Sequence, residues 1–210
     1  MSIPELLKTP PPKDVTRVLL LRHGEAEAPL GTIIGNSGLP LSARGKEQME
    51  RAKRIFSGVA FQAVYTSDMK RAVEACKIIL EGRSSVLPVE LPALQEQNFG
   101  VWQGSTWDQV RSKEPQAIET FFADPVDGKP PGGESMFEVR KRVISWWKPL
   151  APKHKNQTIL IVTSIAPIRS FLCEALDLSL ARASRLSPGP GQLTILDAGP
   201  SFWVAHAMGA

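Results

Sequence analysis

The chain of 210 residues is poor in the residues that build metal sites and disulfides, with two cysteines and three histidines. Cys76 and Cys173 each stand among apolar residues in expected helices and form no cluster with histidine. Buried reduced thiols are therefore expected, with neither a disulfide nor a metal site. No cofactor is called for. No apolar run approaches the length of a membrane span, and the first residues lack the apolar core and cleavage site of a secretory signal, so a cytoplasmic protein without a membrane partner is expected. The net charge of +4 comes from basic residues interspersed with acids. A solvated surface follows, and a nucleic-acid partner is not expected. There is no internal repeat and no phosphate-cradling P-loop.

What the chain does contain is ordinary for a soluble globular protein: 42% hydrophobic and 22% charged residues, enough for a sizeable core. Apolar runs of strand length alternate with helical periodicity. Strands are expected at Arg17 to Leu21, Ala63 to Thr66, Val86 to Leu91, Thr158 to Thr163, Gln192 to Asp197 and Phe202 to Ala205. Helices are expected at Ser42 to Phe56, with Ser42 as N-cap, and at Asp68 to Leu80, Thr106 to Lys113, Pro115 to Phe122, Ser135 to Trp147 and Pro167 to Leu176. This alternation predicts an α/β, three-layer fold: a mostly parallel central sheet, helices on both faces, and a small helical cap over the active-site edge. Residues 1–14, with Pro10-Pro11-Pro12 among them, are expected to form an extended N-terminal tail, and residues 15–210 a single domain.

The most informative segment is Val18-Leu19-Leu20-Leu21-Arg22-His23-Gly24-Glu25. A short buried strand ends here in a cation, an imidazole and a glycine, at the sheet edge where α/β proteins place their ligands. Arg22 offers a planar fork of donors to phosphate oxygens, neutral His23 is a nucleophile, and Gly24 admits an anion close to the backbone. Taken alone, the tripeptide is equally compatible with a histidine held in the core.

Arg22-His23-Gly24-Glu25 resembles the signature of the histidine phosphatase superfamily, the phosphoglycerate-mutase-like proteins. Further segments fit in the same order. Leu39-Pro40-Leu41-Ser42 resembles the family's lead into its first helix. Thr66-Ser67-Asp68-Met69-Lys70-Arg71 resembles the turn that delivers a second phosphate-binding arginine, here Arg71. Glu96-Gln97-Asn98-Phe99-Gly100 resembles the segment that opens on the acid/base glutamate, here Glu96. Pro131-Gly132-Gly133-Glu134-Ser135 also fits. In Val162-Thr163-Ser164-Ile165-Ala166-Pro167-Ile168-Arg169, Ser164 stands where the family has its second histidine, so a neutral hydroxyl replaces an imidazolium as phosphate ligand.

The resemblance implies the same fold and a metal-independent phosphomonoester hydrolase acting on a small phosphorylated metabolite. His23 would form a phosphohistidine, Arg22, Arg71, Ser164 and Gly24 would bind phosphate, and Glu96 would pass the proton. Glu96 would need a raised pKa, which burial beside the aromatic cap would supply. The segment Phe99 to Trp107 is similar to the small-phosphatase branch. The competing reading is a noncatalytic or weakly active phospholigand-binding regulator that has lost turnover with the second histidine. The sequence leaves the phosphoester open, and likewise the choice between monomer and homodimer.

The other candidates are weaker. Glu25 and Glu27 are expected as solvated loop carboxylates, Glu134 as a helix-capping charge, and His154 as a solvated turn residue. His206 is expected at a strand end or in a mobile tail, with a fold-back towards the site as the alternative. The aromatics between Gln95 and Gly133 are expected mostly to pack a cap, with one or two lining a pocket. Of the adjacent Trp146 and Trp147, one should be core and the other partly exposed.

Overall fold

Strand β1, Thr16–Arg22, is the centre of the molecule. Its apolar residues alternate between two cores, so both faces of the strand are buried and the sequence reads as an unbroken hydrophobic run. The computed structural model describes residues 2–83 and 86–210. In chain order the other strands are β2 Ala63–Thr66, β3 Pro88–Glu90, β4 Thr158–Thr163, β5 Leu193–Ala198 and β6 Trp203–Met208. They form one six-stranded sheet in the order β3-β2-β4-β1-β5-β6. The first four run parallel, with Leu19 beside Leu160 and Val64 beside Leu160 on its other flank; β5 and β6 add an antiparallel edge.

Helices cover both faces. Helix α1 Ile3–Lys8, α2 Ala43–Ile55 and α3 Lys70–Leu80 pack against Leu19, Leu21, Leu160 and Val162. Helices α4 Trp107–Lys113 and α5 Pro115–Ala123 build a separate small cluster around Ile33, Trp102, Val110 and Ile118. Helices α6 Met136–Leu150 and α7 Ile165–Ala175 lie on Val18, Leu20, Ile159 and Ile161. The expected α/β, three-layer architecture with its cap is the one found. Trp147 is core and Trp146 half-buried, and both cysteines are buried free thiols, with burial pushing Cys76 up to about 12.

Local sequence explains most helix starts. Ser42 Oγ accepts the N–H of Gly45 at 3.0 Å and caps α2. Thr106 with Gln109 and Ser135 with Glu138 form reciprocal capping boxes for α4 and α6. Glu134 thus leaves the capping of α6 to its neighbour. Helix α7 begins two residues before the expected Pro167, because a proline in the first turn gives up an N–H that has no intrahelical partner anyway.

The N-terminal expectation needs correction. Residues 3–8 are helical, not extended. Ser2 and Glu5 form a capping box, Pro4 sits in the first turn, and Leu6 and Leu7 bury themselves against the sheet's helical layer. Arg17 then closes the helix end, donating to the carbonyl of Thr9 at 2.7 Å. The same guanidinium makes a two-pronged ion pair with Asp197, both side chains almost fully buried.

Two histidines also differ from expectation. His154 is half-buried, its Nε2 2.8 Å from the hydroxyl of Tyr65 and its Nδ1 2.6 Å from Gln157. His206 stands on β6 with its Nε2 2.9 Å from Asp197 Oδ2, which ties the edge strand to the buried Arg17 pair. It does not fold back towards His23. Among the described residues no helix is long and apolar enough to cross a membrane.

Candidate active site

Three parallel strands deliver the candidate residues to one edge. β1 ends in Arg22 and is followed by His23; β2 leads through Ser67 into the first turn of α3 with Arg71; β4 leads through Ser164 into α7. Arg22 and Thr163 are register partners, so the ends of β1 and β4 lie side by side. A cavity of about 300 Å³ opens there, with Arg22, His23, Arg71, Glu96, Ile165 and Arg169 on its walls.

The imidazole of His23 has a defined tautomer. Nδ1 lies 2.6 Å from the carbonyl oxygen of Gly24, which can only accept, so Nδ1 carries the proton. Nε2 accepts from Nε of Arg71 at 3.0 Å and therefore holds a lone pair. Burial, reinforced by the charge of Arg71, pushes the ring down to about 3, so it is neutral near pH 7. Arg71 is 1% exposed. Its remaining nitrogens donate to the carbonyls of Ser37 at 2.8 Å and Gly35 at 2.6 Å, which pins the 31–38 loop over the site. Burial lowers the pKa of Arg22, Arg71 and Arg169, and the Glu96 carboxylate pulls each back up. All three remain cations.

Glu96 shares the cavity wall with Phe99 and Trp107 of the aromatic region. Its Oε2 accepts the N–H of Ile165 at 3.2 Å, and its Oε1 those of Ala166 at 3.1 Å and Gln97 at 2.8 Å. The carboxylate thus sits on the first turn of α7, where orphan N–H groups and the helix dipole favour an anion. A clamp from α6 holds its segment in place. Arg142 donates to the carbonyls of Ala93 at 2.8 Å and Glu96 at 3.1 Å, and pairs with Glu134 at 3.0 Å. Glu134 in turn accepts the N–H of Asn98 at 3.0 Å.

Ser164 is fully buried at the N-cap of α7, and its Oγ has no hydrogen-bond partner among the described residues; the same is true of Nε of Arg22. Arg22 lines the cavity, whereas Ser164 lies behind its wall, which is formed there by the next two residues, Ile165 and Ala166. Gly24 departs from its expected part. It does not line the cavity, and a Cβ there would stand 2.3 Å from the carbonyl oxygen of Gly45, so the glycine is required by the close approach of α2. Glu25 bonds Ser42 and pairs with exposed Arg44 at 3.6 Å, away from the cavity walls.

Two residues enter that the sequence did not single out as site residues. Arg169 was visible only as part of the helix after Ser164; its position five residues on, on the cavity side, makes it a third cation of the site. Arg142 lies two turns beyond Glu134 on α6, and that spacing is the one local signal for the clamp. From the aromatic region Phe99 and Trp107 reach the cavity.

The chain resembles known proteins in sequence and in fold. The profile of the Histidine phosphatase superfamily (branch 1) matches residues 18–210. The chain is 32% identical over 161 residues to the metal-independent phosphoserine phosphatase of Arabidopsis thaliana, covering 75% of this chain and 68% of that one. It is 30% identical over 149 residues to the adenosylcobalamin/alpha-ribazole phosphatase of Escherichia coli K12, covering 70% and 72%. The crystal structure of the alpha-ribazole phosphatase from Shigella flexneri superposes with a TM-score of 0.86 at 23% identity, covering 92% of this chain and 96% of that one. By sequence over nearly its whole length, and by fold, the chain belongs to the histidine phosphatase superfamily.

Proposed function

We propose that the protein hydrolyses phosphomonoesters of small metabolites through a phosphohistidine on His23, without a metal ion. The observation that carries this reading is the neutral, Nδ1-protonated His23, whose Nε2 lone pair is met by Arg71 at the wall of a cavity that Arg22 and Arg169 also line. Relatives named as phosphatases, one of them as metal-independent, support the same reaction class.

In the first half-reaction the phosphate of the substrate takes the N–H groups of α7 from Glu96 and passes its proton to the released carboxylate; Nε2 attacks phosphorus, the bond to the leaving oxygen breaks, and that oxygen takes the proton from Glu96. A phosphoryl oxygen takes over the Nε–H of Arg71, while Arg22, Arg169 and the hydroxyl of Ser164 hold the others. The N–H groups of Ile165 and Ala166, which Glu96 now occupies, form a further anion site once the substrate arrives. In the second half-reaction water attacks phosphorus, Glu96 accepts its proton, and the bond to Nε2 breaks. Ser164 gives a neutral hydrogen bond where an imidazolium would give a charged one, a deficit of about 1–2 kcal/mol. That costs about five- to thirtyfold in rate and leaves turnover possible. A pure binder would have no use for the nucleophilic tautomer of His23.

Rapid quenching with a labelled phosphomonoester should trap an acid-labile, base-stable phosphoprotein that is missing from His23→Ala. Equal labelling of the variant would remove His23 from this part.

A further inference from the structure

The phosphate cavity continues outward. Gln97, Phe99, Trp107 and Arg169, all on its wall, also line a second cavity of about 480 Å³. Its other walls are Phe121 and Phe122 of α5, Met136, and the segment Leu180–Arg185 that follows α7. Phe99 meets Trp107 edge-on with ring centroids 5.8 Å apart, and Phe121 meets Phe122 at 5.1 Å. These rings hold one another in place yet remain uncovered on the cavity side; Phe122 is 56% exposed. An apolar wall fixed by its own neighbours binds a ring without first having to order side chains.

The charges in this chamber discriminate further. Arg169 and Arg185 line it, against Asp124 as the acid, and Oδ1 of Asp124 already accepts the N–H groups of Val126 and Asp127 at 2.9 Å. An ammonium-bearing leaving group would meet two cations and a carboxylate engaged in its own turn. A compact amino-acid side chain would also leave most of the volume unfilled.

We infer that this chamber receives the leaving alcohol, and that the alcohol carries an apolar ring and no positive charge. The inference rests on the phosphatase reading and narrows its substrate class.

The experiment compares kcat/KM for phenethyl phosphate, ethyl phosphate and O-phosphoserine. The two simple alcohols are of similar acidity, so a difference between them reads binding of the ring. Phenethyl phosphate should exceed both by about ten- to hundredfold, the worth of burying one aromatic side chain. Ala181→Trp, at an exposed position on the chamber wall, should lower the phenethyl-to-ethyl ratio to about threefold or less by filling the space. Phe122→Ala should lower the same ratio by removing the wall. Equal kcat/KM for all three substrates, preference for O-phosphoserine, or a phenethyl preference that survives both variants would overturn the chamber's assignment and leave the phosphohistidine chemistry standing. No hydrolysis of any of the three, with no trapped phosphoenzyme, would overturn the phosphatase reading and the chamber's assignment with it.

Discussion

A histidine that is buried and neutral marks its own presence in the stability of the fold. His23 is held down to about 3 by burial and by Arg71, whereas in the unfolded chain it titrates near its ordinary value of about 6.5. Between those two values the unfolded chain binds more protons than the folded one, so stability rises with pH there and falls away as the medium is acidified. The slope contributed is at most about 1.4 kcal/mol per pH unit. Urea unfolding of His23→Asn should show that slope reduced between about pH 4 and 6; an unchanged slope would mean that the ring is protonated in the fold. The position of His23 was legible in the sequence, because a short apolar run ending in Arg-His-Gly fixes a strand end. Its neighbours were not. Gly24 answers to Gly45, a residue twenty-one positions on, and Glu96 answers to the N-terminus of α7, so neither environment can be read from the local pattern.

At the level of elements, α2 comes very close to the turn after β1. A Cβ on Gly45 would stand 2.1 Å from the carbonyl oxygen of Glu25. Gly45→Ala must therefore push α2 away from the strand end, and a destabilisation of about 1–3 kcal/mol is expected in denaturant unfolding. A neutral result would show that α2 shifts freely. Where an element's own residues set its limits, the sequence read it well: β2 and β4 run as expected, and Ser42, Thr106 and Ser135 all start helices. It failed on α1, whose three prolines at 10–12 suggested an extended tail. The helix ends before them and is held by Leu6, Leu7 and a distant arginine, all long-range effects.

Across the whole molecule, the parallel strands and the antiparallel edge do different work. The ends of β1, β2 and β4 supply the site, while Asp197 of β5 and His206 of β6 form a cluster with Arg17 at the opposite end of β1. The four-strand parallel arrangement followed from the alternation of elements; the placement of β6 beside β5 depended on pairings that periodicity does not encode. Among the described residues no group of three or more His, Cys, Asp or Glu is placed to hold a metal ion. On the proposed mechanism phosphate release should persist in excess chelator, and a complete loss restored by a divalent cation would contradict a site that works through arginines.

Arg71 works as a mooring as well as a charge. One of its bonds reaches His23 and two hold the loop through Gly35 and Ser37. An ammonium cannot reproduce that planar, three-way fork. Exchanging Arg71 for lysine would keep the positive charge but unfasten the loop, so any lost rate would combine a weaker grip on phosphate with a rim that no longer stays shut. Faster amide exchange along residues 31–38 in that variant would separate the two effects.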